Sequence, residues 1–497
     1  MMITLDGCGP LYRQVYRGVR DAVLRGQLPP GARLPSSRAL ADELGLSRTV
    51  VLLAYEDLQA ESYTETRAGA GTFVAPQVDH TLLSKAVSND GLSNVLAADA
   101  APRLSRFARR AMQQKPEAVY EQKQDSGLRF NFEYSVSEQD AQVVRLWRSL
   151  LAKHVTDSGA FYPSPQGELS LRMSVAKYAG HARGVHCDPG QILIVDGSQQ
   201  SLDLIAKVLL DPGDRVLIEE PQYHGARAAF LAVGARLDLC PVDADGFDIA
   251  LRPTNYEPGA RLVYVTPSHQ MPTGAVMTVA RRLELLAWAT DNSAYIVEDD
   301  YDSEFRYKSR PIPSLHSLDM HDRVIYLGTF AKAFSPTVRL AYMVLPAKLV
   351  APFVSAKWLS DLGTPWLAQR ALADYMDAGH YARRIRRLSR RYAARRSSLL
   401  AALRRYLGDE ITIGDSSAGM HVLIWLNRIP PDRLPALIRA AARREVHLHS
   451  VASYYMNPPS RAGLLMGYTL LSEEEITEGV RRLGALLERF CRTKMAG

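Results

Sequence analysis

The chain has 497 residues, of which 47% are hydrophobic and 23% charged, and its formal net charge is +7. That length holds two or three domains with a large core, and the composition is ordinary for a soluble globular protein, not a disordered or fibrous one. The mild positive charge permits nucleic acid as a partner without requiring it. No apolar run approaches a membrane span. The four cysteines, Cys8, Cys187, Cys240 and Cys491, have neither metal-ligand spacing nor a disulfide framework, so no metal site is expected. The opening MMITLDGCGP lacks the basic start and apolar core of a signal peptide, which makes a cytoplasmic location the expectation.

Residues 11–74 read as a separate unit. Leu11, Val15, Val19, Val23 and Leu24 recur at helical spacing until GQLPPGARLP breaks the pattern. Ser36 and Ser37 can cap a second helix, SRALADELG, that stops at Gly45, and Ser47 can cap a third, RTVVLLAYEDLQA. Two short helices joined by a tight glycine-containing turn form a helix-turn-helix, whose second helix enters the DNA major groove. The following YTETRAGAGTFVA supplies two short strands about a glycine-rich turn, a wing. Eight basic and seven acidic side chains leave residues 11–75 nearly neutral. Such a domain grips nonspecific DNA weakly alone, which implies a dimer on two half-sites.

These motifs resemble the GntR superfamily of bacterial repressors and activators, whose pattern stands here as LPSSR, SRTVV and GAGTFV. The resemblance implies DNA contacts from Arg38, Ser47, Arg48 and Thr49, with Gly69 and Gly71 letting the wing approach the backbone. Arginine can reach phosphates or guanine edges, and a hydroxyl at a helix start can reach phosphate. Read alone, Arg48 is equally a solvated helix residue and Gly71 an ordinary hairpin glycine. The sequence departs from the pattern at Val51, in the recognition helix, and at Ser62, where glycine is common before Tyr63.

From Pro76 to about Arg129 no apolar periodicity persists, and the segment reads as a tether with one helix over 102–113. Beyond it the strand ILIV, residues 192–195, leads through Gly197 into SQQSLDLIAKVLL at helical spacing. Ser198 and Gln199 then sit at a helix N-terminus, which offers N–H groups to an anion; an N-capping serine would give the same local shape. Further on, the strand at 295–297 runs into EDDYD. An isolated run of this kind is also an exposed acidic loop, but at a strand end it can deliver Asp299 and Tyr301 to a site. The buried strand VIYLG then leads to Lys332, the one charge between Arg323 and Arg339. A lysine so placed is either structural or a desolvated nucleophile for aldehydes.

Together these residues resemble the fold type I pyridoxal-phosphate enzymes of the aspartate aminotransferase class. In that class an Asp-x-Tyr follows a strand, and a Ser/Thr-x-Ser-Lys precedes an arginine that grips the cofactor phosphate. Asp299 and Tyr301 match the first pattern; Thr329, Lys332 and Arg339 match the second. The resemblance implies an aldimine on Lys332, Asp299 at the ring nitrogen, Tyr301 at the ring oxygen, Tyr223 stacked on the ring and Gly197, Ser198 and Gln199 as the phosphate cup. Tyr162, in FYPSPQG, resembles the tyrosine that reaches the partner subunit's phosphate. The sequence departs where MPTG puts Met271 in place of the usual asparagine, where Ala331 replaces serine, and where Thr337 and Ala341 replace glycines about Arg339. The arginine that usually grips a substrate carboxylate has no match in LLMGY, although Arg461 lies near.

The paired resemblances identify the chain as similar to the MocR subfamily of GntR-type regulators. They imply a winged helix-turn-helix at 8–76, mainly α, an interdomain linker at 77–129, and an α/β aminotransferase-like domain at 130–497. They also imply a homodimer with cofactor sites at its interface, the DNA domain of one chain resting on the large domain of the other. The function so implied is a transcriptional regulator that binds an operator and senses pyridoxal phosphate, an amino compound, or both. The alternative is an active aminotransferase that also regulates transcription, against which Met271 argues. Finally, HYARRIRRLSRRYAARR is expected as an amphipathic helix whose arginines are either a solvated face or a DNA-facing one.

Overall fold

A computed structural model describes residues 3, 5–76, 103–114, 127–134, 136–138, 140–156, 162–252, 259–307, 313–414 and 417–492. It divides into two compact units, Met1–Arg103 and Leu104–Gly497.

In the first unit, helices α1 (Leu11–Leu24), α2 (Ser37–Leu44) and α3 (Arg48–Ala60) precede an antiparallel hairpin of β1 (Thr64–Arg67) and β2 (Gly71–Val74). Val15, Val19 and Val23 share one stripe of α1 and are fully buried against Leu40, Val51, Ala54 and Leu58. Burying each contributes about 1.5–3 kcal/mol. The Ser36 hydroxyl accepts from the Ala39 N–H at 3.2 Å and caps α2, which closes on Gly45 at φ 67°. Ser47 stands at the N-cap of α3 but makes no side-chain capping bond, so its expected capping role is not found. The two departures from the family pattern have structural accounts. Val51 points into the core, and Ser62 adopts the left-handed φ of 62° that a glycine would take more easily.

The second unit begins with α4 (Arg106–Gln113), the helix expected inside the tether. It belongs to the larger unit: the Arg110 guanidinium donates to the Val233 carbonyl at 3.0 Å and covers Gly234, where a Cβ would come within 2.3 Å of it. After β3 (Phe130–Asn131), α5 (Ala141–Val155) and α6 (Leu169–Arg183), the main sheet is built from β4 (Ile192–Val195), β5 (Arg215–Glu220), β6 (Arg236–Asp243), β7 (Gly246–Phe247), β8 (Ala260–Val265), β9 (Tyr295–Asp300), β10 (Val324–Thr329) and β11 (Ala341–Val344). The strand order is β4-β11-β10-β9-β8-β5-β6-β7, with the five central strands parallel. Leu262 and Tyr264 face one core and Val263 and Val265 the other. A sheet buried on both faces explains why these strands read as continuous apolar runs.

Helices α7 (Ser198–Leu209), α8 (His224–Val233) and α9 (Val279–Asp291) lie among the strands of this α/β layer. They are followed by α10 (Val350–Asp361), α11 (Trp366–Asp377) and α12 (His380–Tyr406). A smaller antiparallel sheet pairs β12 (Ile411–Ile413), β13 (His421–Leu426), β16 (Ala462–Gly467) and β15 (His449–Ser450) in that order, while β14 (Val446–His447) pairs with β3. Helix α13 (Leu434–Ala442) and helix α14 (Glu473–Arg492) complete the unit. Among the described residues no helix is long and apolar enough to cross a membrane. The expected classes, a mainly helical winged unit and an α/β unit, are both observed.

Helix α12 carries the arginine-rich run, and most of that charge is spent inside the chain. Arg384 is buried on backbone carbonyls, Arg387 pairs with Asp140, and Arg391 and Arg395 pair with Glu138. Arg396 is buried with its guanidinium over the Tyr307 ring, while Arg386 and Arg390 are exposed. The solvated-face reading therefore holds for only part of the helix, and the rest fastens it to the core.

Candidate functional site

Neighbouring parallel strand ends build one site. Leu327 of β10 lies opposite Asp299 of β9, and Gly328 opposite Asp300, so the two strands run out together. Asp299 and Tyr301 emerge from one end, and Thr329 and Lys332 from the other, at the carboxyl edge where open α/β sheets bind ligands. A cavity of about 550 Å³ is lined by all four of these residues. It is also lined by Tyr223, Gly197, Ser198, Gln199 and Arg339, so nine of the ten residues expected around a cofactor share one cavity. Tyr162 is the exception, 86% exposed and outside this lining.

Asp299 is buried and accepts from the Tyr264 hydroxyl at 2.7 Å. Burial pushes its carboxyl up to about 6, opposed by that hydrogen bond and by the nearby Lys332 charge. Tyr301 reaches His269, its hydroxyl 2.9 Å from Nδ1, and the same nitrogen lies 3.0 Å from Asp302 Oδ2. Burial holds the Tyr301 phenol well above its ordinary range, so it is a neutral hydroxyl. Met271 lines the cavity as expected, and its neighbour Gln270 is occupied in bracing Glu219 and the Pro221 carbonyl. Beyond Thr329, whose hydroxyl accepts from the Ala331 N–H at 3.2 Å, the chain turns so that Lys332 is half-buried.

The other end of the cavity suits an anion. Helix α7 starts at Gly197, φ 106°, and no side chain caps it. The alternative of an N-capping serine is therefore not realised, and the first N–H groups of α7 stand at the wall that Ser198 and Gln199 line. Arg339 lies across from them, donating to the Asp196 carbonyl at 2.6 Å. A Cβ on Gly197 would come within 2.6 Å of that guanidinium, so only glycine lets the two meet. Arg339 itself holds a left-handed φ of 54°, a strained backbone at the point where its side chain is presented. Gly225 does similar work beside Tyr223. Its Cβ would lie 2.5 Å from the Tyr223 ring and 2.4 Å from the Gln199 amide oxygen, while the Gln199 amide donates to the Gly225 carbonyl at 3.0 Å.

Sequence reading missed Tyr264, Glu133, Tyr134 and Tyr454, all of which line the cavity. Only Tyr264 left a signal, since strand alternation puts it on the face of Leu262. The Tyr454 hydroxyl donates to Tyr134 at 2.5 Å, a contact across 320 positions that no local pattern records. Arg461, the nearest candidate for gripping a carboxylate, points elsewhere. Its guanidinium donates to Thr412 at 3.1 Å and Asn427 at 3.0 Å and lies over Trp425.

In the winged unit Arg38, on α2, and Ser47, Arg48 and Thr49, at the start of α3, are all exposed. Arg48 Nε donates to the Ser37 hydroxyl at 3.3 Å. Gly69 takes φ 73° at the wing tip with open space around it, whereas Gly71, φ 114°, is covered by Arg33.

Comparison with known proteins places both units. Residues 11–74 match the gntR family of bacterial regulatory proteins, and residues 132–483 match aminotransferase class I and II. The probable rhizopine catabolism regulatory protein MocR of Rhizobium meliloti is 36% identical over 97% of this chain and 95% of its own length. The pyridoxine biosynthesis transcriptional regulator PdxR of Corynebacterium glutamicum is 30% identical over 93% of each. Among solved structures, the α-aminoadipate aminotransferase LysN of Thermus thermophilus, complexed with N-(5'-phosphopyridoxyl)-L-leucine, superimposes with a TM-score of 0.69 at 29% identity. It covers 78% of this chain and 98% of that one.

Proposed function

The chain belongs to the MocR-type GntR transcriptional regulators, a DNA-binding winged-helix domain joined to an aminotransferase-like domain, and from that premise we propose that its large cavity holds pyridoxal 5'-phosphate and senses a small amino compound. The observation that carries this reading is the meeting of Lys332 and Asp299 in a cavity whose far wall is an uncapped helix N-terminus facing Arg339. These residues fit the cofactor. The α7 N–H groups and Arg339 would hold the phosphate, Tyr223 would cover the ring, and Asp299 would pair with the ring nitrogen.

Bound there, the cofactor supplies an aldehyde carbon that condenses reversibly with primary amines. Lys332 would occupy that carbon at rest, and an effector amine would release it. Asp299, ionised, would keep the proton on the ring nitrogen, and Tyr301 would donate to the ring oxygen from a hydroxyl fixed by His269. A change at Lys332 would act on the segment after β10, and a coupling of about 1–3 kcal/mol to the DNA-binding arrangement is a typical size for such a switch. The operator would be bound by a homodimer in the cytoplasm, through Arg38, Ser47, Arg48, Thr49 and the wing glycines Gly69 and Gly71. Tyr162, exposed on its own chain, would reach the partner's phosphate.

The test is an absorption spectrum of the purified protein with added pyridoxal phosphate, beside Lys332→Ala. A visible band that needs Lys332 is expected. Its absence would end the cofactor reading and leave DNA binding standing. Steady consumption of an amino donor and a keto acid would instead favour the aminotransferase alternative.

A further inference from the structure

The cavity has a third wall, formed where residues 133–134 cross the smaller sheet. Gly467 at the end of β16 has no room for a side chain, because a Cβ would lie 1.8 Å from the Glu133 carbonyl, and its N–H donates to the Phe132 carbonyl at 3.0 Å. This crossing sets Glu133 and Tyr134 in the cavity lining. Glu133 is buried, with Oε2 2.8 Å from His449 Nε2 and 3.9 Å from His447 Nε2. Tyr134 and Tyr454, hydrogen-bonded to each other, line the same cavity. Among the described lining residues the cationic side chains are Lys332 and Arg339, and Arg339 belongs to the anion end beside Gly197. Arg461 is fastened to Thr412 and Asn427.

A buried carboxylate with His449 at one oxygen keeps acceptor capacity for a donor or cation and is a poor neighbour for a second carboxylate. Resting on the cofactor reading above, we propose that the amine accepted here carries a hydrogen-bond donor at its other end, an ammonium or a hydroxyl, and no carboxylate, with Glu133 receiving that group. The ligand class is therefore a diamine or an amino alcohol. An amino acid would have to bring its carboxylate against Glu133.

The experiment uses the full chain loaded with pyridoxal phosphate, after the Lys332-dependent band has been established; failure to obtain that band would sink the cofactor reading alone. Putrescine, aminobutanol, butylamine and γ-aminobutyrate, which share one chain length, are then titrated by the change in that band and by calorimetry. Putrescine or aminobutanol should bind at least about tenfold tighter than butylamine, the size of one charge-assisted hydrogen bond, and γ-aminobutyrate should bind more weakly than butylamine. Which of the first two is tighter identifies an ammonium or a hydroxyl. Glu133→Gln should erase the advantage of the tighter ligand over butylamine when both are titrated on the same variant. Tighter binding of γ-aminobutyrate than butylamine, an unchanged ranking in Glu133→Gln, or no response to any of the four amines would overturn the proposal.

Discussion

Arg384 of α12 donates from Nε to the backbone carbonyl of Ala333 at 2.8 Å, one residue past Lys332. The same guanidinium donates to the Phe334 carbonyl at 3.1 Å and the Glu138 carbonyl at 3.0 Å. One buried side chain thus ties the segment that presents Lys332 to α12 and to the backbone at Glu138.

Arg384→Lys keeps the charge but loses the fork that reaches three carbonyls. Leaving buried carbonyls unpaired should cost about 2–4 kcal/mol in urea denaturation, and loosening the Lys332 segment should lower cofactor affinity by about tenfold, an effect read from the visible band. Arg386→Ala, on the exposed side of the same helix, should change stability by less than about 0.5 kcal/mol. Equal effects from the two would contradict the strut assigned to Arg384.

The left-handed φ of Ser62 gives a second expectation. Ser62→Gly relieves a conformation that L-residues adopt at a cost, partly offset by the entropy glycine brings to the unfolded chain. The net gain should be about 0.5–1 kcal/mol in the winged domain's own thermal transition, with operator affinity unchanged. A loss of stability would show that the serine side chain, not the backbone, matters at this helix exit.

Asp299 makes stability depend on pH in a direction that can be worked out. Burial raises its folded carboxyl from 3.8 to about 6, so its contribution is fully present below its unfolded value and is lost as pH rises through about 6. The loss across that window is about 3 kcal/mol. The denaturation free energy of the cofactor-free wild type, less that of Asp299→Asn, should therefore fall between pH 4 and pH 7, the difference isolating this carboxyl from every other group. Cofactor affinity should rise over the same window, because the ionised carboxylate is the form that pairs with a protonated ring nitrogen. A flat difference curve would mean that the Asp299 carboxyl binds its proton alike in the folded and unfolded chains.

Much of the fold and of the site was legible because it is local. The apolar strand at 192–195, the run of apolar residues before Lys332 and the Gly197–Ser198 helix start are all written within a dozen neighbouring positions, and each stands in the structure where its pattern put it. The third wall was not legible. Glu133 meets His449 across more than three hundred positions, and Tyr134 meets Tyr454 in the same way, so no period or motif could pair them. The arginines of α12 misled for the opposite reason: their spacing states a helix correctly, but only the partners Asp140, Glu138 and the Ala333 carbonyl say which face is buried. Gly225 carried no signal at all, since its need for emptiness comes from the Tyr223 ring and Gln199.

The DNA contacts proposed for Arg48, at the start of α3, and for Arg38, on α2, would be of two kinds. Arg48 Nε donates to the Ser37 hydroxyl at 3.3 Å, a partner on α2 that biases the direction of its exposed guanidinium. Preorganised arginines suit base edges, where direction matters, and Arg38 on the exposed side of α2 suits phosphate, where charge alone suffices. Arg48→Ala should weaken operator binding by about 1–3 kcal/mol and relax the preference at one base position, while Arg38→Ala should weaken binding to all sequences alike and reduce the salt slope by about 1. Ser37→Ala should reproduce part of the Arg48 loss without altering the salt slope, because it releases the arginine without removing a charge. Val51→Ala provides the contrast: Val51 is fully buried in the core, so its truncation should cost stability, about 1–3 kcal/mol, and leave the base preference of the folded protein intact. Operator titrations of the four variants at several salt concentrations distinguish these outcomes, and a uniform loss from Arg48→Ala with an altered salt slope would assign that residue to phosphate instead.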